Sequence, residues 1–353
     1  MVNLEQVGER KLETRDTTKP LVAVVTPCYN GAPYIERTLA SVQAQTYPNI
    51  VHCVLDNAST DESPELIKAA MNGPVRIITK RNNELLQQVP NWNAAIAMTP
   101  PDAKYVKFLA ADDLMRDDCI EKMVALAESD PEIDFVHAID VFNSESKPHG
   151  LDPNQSVYKG SDYARRYLSG IVTWLSATHV FFRVTPERLK EPFNPAIRPF
   201  MDNDFILREL LDRKMGFVFE PLLFTRYDEG TVTASLGGMR SYMIASFELL
   251  LRHGAKLFDE AELSQLIRRE RYKILRHLFY WQMSGDKKNA LGASEGLKKH
   301  GMAANPIDTL IAVLSWPFYK MELKRIRNSE VTTSISECTF FPKAAIEHPT
   351  SSI

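Results

Sequence analysis

The chain has 353 residues, enough for two domains or one large one at about 100–200 residues per domain. Apolar residues make up 44% and charged residues 25%, which supports a sizeable core, and Gly at 15 and Pro at 21 are too few for a fibrous or low-complexity chain. With 42 Lys and Arg against 45 Asp and Glu, the formal net charge is −3, which argues against a nucleic-acid-coating role. Cys28, Cys53, Cys119 and Cys338 are far apart and form no paired metal-ligand spacing, so a reduced compartment is the natural expectation. Residues 1–20 are charged, lack the apolar stretch of a signal peptide, and read as a flexible N-terminus. No apolar run reaches the 18 or so residues of a spanning helix. A cytoplasmic protein is expected.

The first element is Leu21 to Thr26, a β-branched run that reads as a buried parallel strand ending at Pro27. A helix follows from about Pro33, with Ile35, Leu39 and Val42 on one face. Ile50 to Leu55 is a second strand, stopping at the turn formers Asp56 to Asp61; Ser63 then caps a helix with Pro64 in its first turn. Val75–Thr79 and Tyr105–Leu109 read as strands, Asn91–Met98 and Asp118–Glu128 as helices, and Phe135–Phe142 as a strand. Beyond residue 150 the pattern predicts strands over Trp174–Arg183 and Phe217–Tyr227 around a helix over Asp204–Lys214. Helical stretches follow near 241–258, 262–284 and 306–328, and the Ser-, Thr- and Pro-rich residues 329–353 read as a disordered tail.

Alternating strands and helices call for an α/β fold, a mostly parallel sheet flanked by helices, with a helical C-terminal extension. Such sheets bind ligands beyond the carboxyl ends of their strands. Thr26 to Asn30, Asp56 to Asp61 and Asp112-Asp113 all fall there. Adjacent carboxylates such as Asp112-Asp113 suit a hard divalent cation, or cap a helix. Asp56 suits a nucleobase N–H, or closes its turn. Trp174 either packs in a core or stacks on a sugar. No zinc spacing, glycine-rich phosphate loop or Gly-x-Ser-x-Gly elbow is present, which counts against metalloprotease, dinucleotide, P-loop and α/β-hydrolase chemistry.

Taken in order, Val24-Val-Thr-Pro-Cys-Tyr-Asn30, Leu55-Asp-Asn-Ala-Ser-Thr-Asp61, Asn93-Ala-Ala-Ile and Phe108-Leu-Ala-Ala-Asp-Asp113 resemble the nucleotide-sugar-binding half of family 2 inverting glycosyltransferases. The resemblance implies a Rossmann-like GT-A catalytic domain over residues 21–235 and a helical region over 236–328. Phe193-Asn-Pro, Met201 to Arg208 and Arg226 to Thr233 look like that family's acceptor-side segments. Carried over by position, Thr26, Pro27 and Tyr29 would line the base and ribose, Asp56 would accept the base N–H, and Arg81 would face the diphosphate. Asp112 and Asp113 would occupy the Asp-x-Asp position, bind Mn2+ or Mg2+ and reach the donor. Asp202 would be the general base, with Asp204 as an alternative on the acceptor side. Ala110, Asn57-Ala58 and Met201 depart from the pattern, where the family often has acidic residues or glycine. The implied activity is hexosyl transfer from a nucleotide sugar, with UDP the expected nucleotide, to a glycan or lipid-linked hydroxyl in polysaccharide biosynthesis. A catalytically impaired nucleotide- or glycan-binding relative is the alternative, and nucleic acid is not an expected partner. Ile307 to Tyr319 followed by Lys320, Lys324, Arg325 and Arg327 suggests peripheral membrane contact through 306–328.

Overall fold

Apolar and β-branched residues crowd the first strand because it is covered on both faces, and every one of its residues is buried. The computed structural model describes residues 16–142, 145–146, 150–172, 180–226, 238–317 and 321. Strands β1 (Val22–Cys28), β2 (Ile50–Asp56), β3 (Arg76–Arg81) and β4 (Tyr105–Phe108) are parallel. Helices α1 (Ala32–Gln43), α2 (Ser63–Ala70) and α3 (Gln88–Ile96) connect them. Then come β5 (Leu114–Met115), α4 (Cys119–Glu128), β6 (Ile133–Phe142), β7 (Glu145–Ser146), β8 (Val157–Lys159), α5 (Gly160–Leu168), β9 (Phe181–Arg183), α6 (Pro186–Leu189), α7 (Met201–Leu210) and β10 (Lys214–Thr225).

The sheet order is β3-β2-β1-β4-β9-β6-β10-β5, with β7 beside β6 and β8 beside β10. Its second half is mixed: β9 is antiparallel to β4 and β6, while β10 runs parallel to β6. Pro27 does not end β1, as the sequence suggests. Val25 is the last β1 residue opposite β4, so the missing N–H of Pro27 faces the side where that pairing has stopped. On the other side β1 stays in register with β2 through Cys28 opposite Asp56.

Alternate side chains of β1 supply two cores. Ala23 and Val25 join Phe108, Phe135, Phe182 and Phe205, while Val22 and Val24 join Tyr105, Ile120, Val136 and Phe181. Each such side chain contributes about 1.5–3 kcal/mol by leaving water. The C-terminal region comprises α8 (Gly238–His253), α9 (Glu260–Met283), α10 (Lys287–Lys299) and α11 (Pro306–Leu314). Phe247, Ile274, Leu278, Ala293 and Leu297 form its own core. The other side of α8, through Ala245, Leu249 and Leu250, packs on Ala164, Leu168, Phe200 and Leu207. One apolar cluster therefore crosses the expected 235/236 boundary.

Helices α5 and α10 are additions to the elements expected from sequence. The N-terminal residues 1–15, Trp174 and the 329–353 tail lie outside the described residues. Among the described residues no helix is long and apolar enough to cross a membrane.

Candidate functional site

The turns after β1 and β2 meet beyond the carboxyl edge of the sheet, and each contains one residue in the left-handed region: Asn30 at φ 46° and Ala58 at φ 57°. Asn adopts this conformation at low cost; Ala pays for it and is held there by its neighbours. Asn30 N donates to Ser59 Oγ at 2.9 Å, and Thr60 N donates to Asn30 Oδ1 at 2.8 Å. The N-terminus of α1 is covered from the same loop, with Gly31 N donating to Ser63 Oγ (2.8 Å) and Ala32 N to Asp61 Oδ2 (2.9 Å). Ser63 is thus the first residue of α2, and its hydroxyl serves α1 instead of capping its own helix.

Asp56, at the end of β2, is buried and held from both sides. Its Oδ1 accepts from Ser59 N at 3.1 Å and its Oδ2 from Arg81 Nη1 at 2.6 Å. Arg81 also donates to the Ser59 carbonyl at 2.7 Å, so it braces the β2 turn while remaining half exposed. Beside it, Asn57 Oδ1 accepts from Leu86 N and from Asn82 Nδ2, and neither Asn82 nor Leu86 belongs to a sequence motif. Tyr29 is half exposed at the crevice. Thr26 and Pro27 are buried, and the Thr26 hydroxyl is bonded to His52 Nε2 at 2.9 Å. The Thr26 side chain is turned toward His52 and fully buried.

After β4 the chain turns through Ala110 to Asp113, pinned by the Thr38 hydroxyl against the carbonyls of Ala111 and Asp113, each at 2.9 Å. Both aspartates bond to one residue at the end of β10, Arg226. Its Nη2 and Nε donate to Asp112 Oδ2 at 2.8 and 3.2 Å, and its backbone N donates to Asp113 Oδ1 at 3.0 Å. The guanidinium lies 3.8 Å from the centroid of the Tyr34 ring. Burial, then the nearby carboxylates of Asp112 and Asp140, push the Asp113 carboxyl well above the usual range. Beneath them the fully buried Lys107 is pulled down to about 8 by desolvation, against the opposing pull of Asp140 and Asp113.

These residues do not fit a resident divalent cation. Asp113 is enclosed and Asp112 is only 29% exposed, its carboxylate already shared with a guanidinium. Among the described residues no group of three or more His, Cys, Asp and Glu is placed to hold a metal. The metal expected at Asp112-Asp113 therefore meets a protein cation in its place.

The acceptor-side candidates lie in the first turn of α7. An aromatic cluster ties this helix to α3 and the end of β4: Phe193 packs on Trp92 and Phe108 at 5.8 Å and on Phe205 at 5.9 Å. Asn93 clips the same segment by a reciprocal pair of bonds to the Phe193 backbone, at 2.8 and 3.0 Å. Asp202 is buried and accepts a hydrogen bond from Asn203 N at 3.0 Å. Desolvation, against the backbone N–H groups of Asn203 and of Asp202 itself, pushes its carboxyl up to about 7. Asp204 is placed differently. Its Oδ1 faces His253 Nε2 at 2.8 Å, and Arg208 and Arg252 stand at 3.4 and 3.6 Å. It is a clamp between α7 and α8. Nothing in the sequence marks His253, which lies 49 residues away; Arg226 at least announces itself as an arginine closing a strand.

A parallel βα half that gathers polar turns at its strand ends, completed by mixed strands and a helix presenting a buried acid, is the layout of GT-A glycosyltransferases. Residues 23–185 match the sequence model described as Glycosyl transferase family 2, so this segment of the chain is similar to that family. Chondroitin synthase of Pasteurella multocida is 30% identical over 193 residues, covering 54% of this chain and 19% of that one. The chain spans less than half the length of the first curated relatives it matches. Its fold is similar to S. aureus TarS in complex with UDP-GlcNAc, with a TM-score of 0.58 and 16% identity, covering 78% of this chain and 79% of that one. It is similar too to mannosyltransferase PcManGT from Pyrobaculum calidifontis in complex with GDP-Man and Mn2+, with a TM-score of 0.51 and 18% identity over 88% and 83% of the two chains. Transferases of this family and fold commonly use a divalent metal.

Proposed function

We propose that the protein transfers a sugar from a nucleotide-sugar donor, most simply a UDP-sugar, to a hydroxyl of a glycan or lipid-linked acceptor with inversion at the anomeric carbon. The observation that carries this reading is Asp202, a buried carboxyl in the first turn of α7 that among the described residues pairs with no protein cation, whereas Asp56 and Asp112 are each paired with an arginine. Its raised pKa suits a general base working near neutrality. The acceptor oxygen attacks the anomeric carbon as its proton passes to Asp202. The bond from that carbon to the nucleoside diphosphate breaks, and its electron pair leaves with the diphosphate. Asp56, Arg81 and Tyr29 form the nucleotide end of the site. Incubation with a panel of nucleotide sugars, followed by assay for released nucleoside diphosphate and sugar-extended acceptor, tests the reading. Tight nucleotide binding with no release for any donor would favour the impaired relative.

We further propose that residues 306–328 rest on an anionic membrane surface. Ile307, Leu310 and Leu314 of α11 are 59–72% exposed on one helix face, and four basic residues follow in sequence between 320 and 327. Equal recovery of the full chain and of one ending at Ala304 in the supernatant of an anionic-liposome sedimentation would refute this.

A further inference from the structure

Group transfer from a nucleoside diphosphate sugar builds negative charge on the departing diphosphate, and some positive group must stand where that charge develops. Resting on the donor reading above, we propose that Arg226 is that group: its guanidinium, in place of a divalent cation, meets the diphosphate at the Asp112-Asp113 turn. Three features of its setting point there. It closes β10, directly beside the turn that follows β4, the position at which such sheets receive ligands. Its orientation is fixed before any ligand arrives, by Asp112 along one edge, by the Tyr34 ring 3.8 Å from the guanidinium, and by its own backbone N–H on Asp113. Its side chain is only 11% exposed, so the charge acts in a partly desolvated setting where it is worth more than in water.

The acids at this turn are committed in a way that opposes metal binding. A cation would have to displace the guanidinium from Asp112 and draw Asp113 out of the interior. A guanidinium needs neither step, stays charged at every working pH, and has the planar fork that matches phosphate as well as carboxylate. In the transfer step the bond between the anomeric carbon and the diphosphate oxygen breaks, the pair stays on that oxygen, and Arg226 donates hydrogen bonds to it without giving up a proton. Asp202 takes the acceptor's proton, so charge and atoms balance with no further reagent.

Two readouts test this: calorimetric binding of UDP and donor turnover, each in chelator and in millimolar Mn2+, for the wild type, Arg226→Gln and Arg226→Lys. The expected result is wild-type affinity and turnover within about threefold in chelator and Mn2+. Arg226→Gln should lose roughly 10²–10³-fold in turnover, the scale seen when one preorganised charge-stabilising donor is removed. Arg226→Lys should keep part of that loss from appearing. Circular dichroism checks the fold of each variant; if Gln unfolds the protein, Lys and the wild-type chelator series decide alone. UDP binding that disappears in chelator and returns with Mn2+ overturns the assignment while leaving the transferase reading intact. No binding of any nucleoside diphosphate under either condition overturns the donor reading, and this one with it.

Discussion

The strand-end crevice and the first turn of α7 both gather aspartates, and they use them in opposite ways. In the crevice Asp56 is held by Arg81 and Ser59 and Asp112 by the Arg226 guanidinium, while Asp113 accepts from the Arg226 backbone N–H. In α7, Asp204 is likewise locked by His253, yet among the described residues Asp202 two residues earlier accepts only from backbone N–H. Acid content therefore says little about chemistry by itself. A carboxylate paired with a guanidinium, like Asp56 or Asp112, shapes the site; one buried without such a pairing, like Asp202, can take a proton.

The sharpest way to break this contrast is Asp202→Asn. Turnover should fall by roughly 10²–10⁴-fold, the usual contribution of a general base, with UDP affinity unchanged. The pH profile carries the same information. The base must be ionised, so kcat/KM should rise with pH and level off above about 7. The folded state also holds a proton here that the unfolded chain releases, so stability is eroded as pH rises from about 4 to about 7. Asp202→Asn should accordingly melt higher than wild type at pH 8 and no higher at pH 4. A variant that is both inactive and less stable at pH 8 would make Asp202 a structural residue.

Next in size is the clamp. His253→Ala leaves the buried Asp204 without its closest partner, at a cost of about 3 kcal/mol and roughly 5–10 °C in melting midpoint. Turnover at permissive temperature should stay within about threefold. A collapse in turnover without any loss of stability would move the base assignment by two residues. The smallest expected effect is at α11, where Ile307→Ser should change stability by about 0.5 kcal/mol or less while lowering recovery with anionic liposomes.

How far the sequence reveals this depends on distance along the chain. Strands β1, β2, β4 and β6 and helices α1 and α4 are legible because each carries its own period. Helix α10 is not, since its buried face is Ala290, Ala293 and Leu297, two of them too small to raise a hydrophobic signal. Pro27 misleads because a proline stops a strand only where its N–H would have been used. At the site, the acids are visible and their partners are not: Arg226 lies 114 positions from Asp112, and no local pattern links them. The resemblance located Asp202, but only the folded chain separates it from Asp204. The motif likewise suggested a metal at Asp112-Asp113, and the guanidinium that claims it could be seen only in three dimensions.

The apolar cluster that α8 shares with α5 and α7 bears on how such a protein can be rebuilt. Leu249 and Leu250 come from the helical region, Leu168 and Leu207 from the catalytic one, and the Asp204–His253 clamp spans the same seam. Modular swapping assumes a joint that can be opened without cost. A chain cut after residue 236 would expose the leucines and strand a buried carboxylate in the very turn that carries Asp202. The helices after 238 are therefore no interchangeable cassette. Exchanging them for those of a relative, in evolution or in the laboratory, means redesigning the floor beneath the proposed base at the same time.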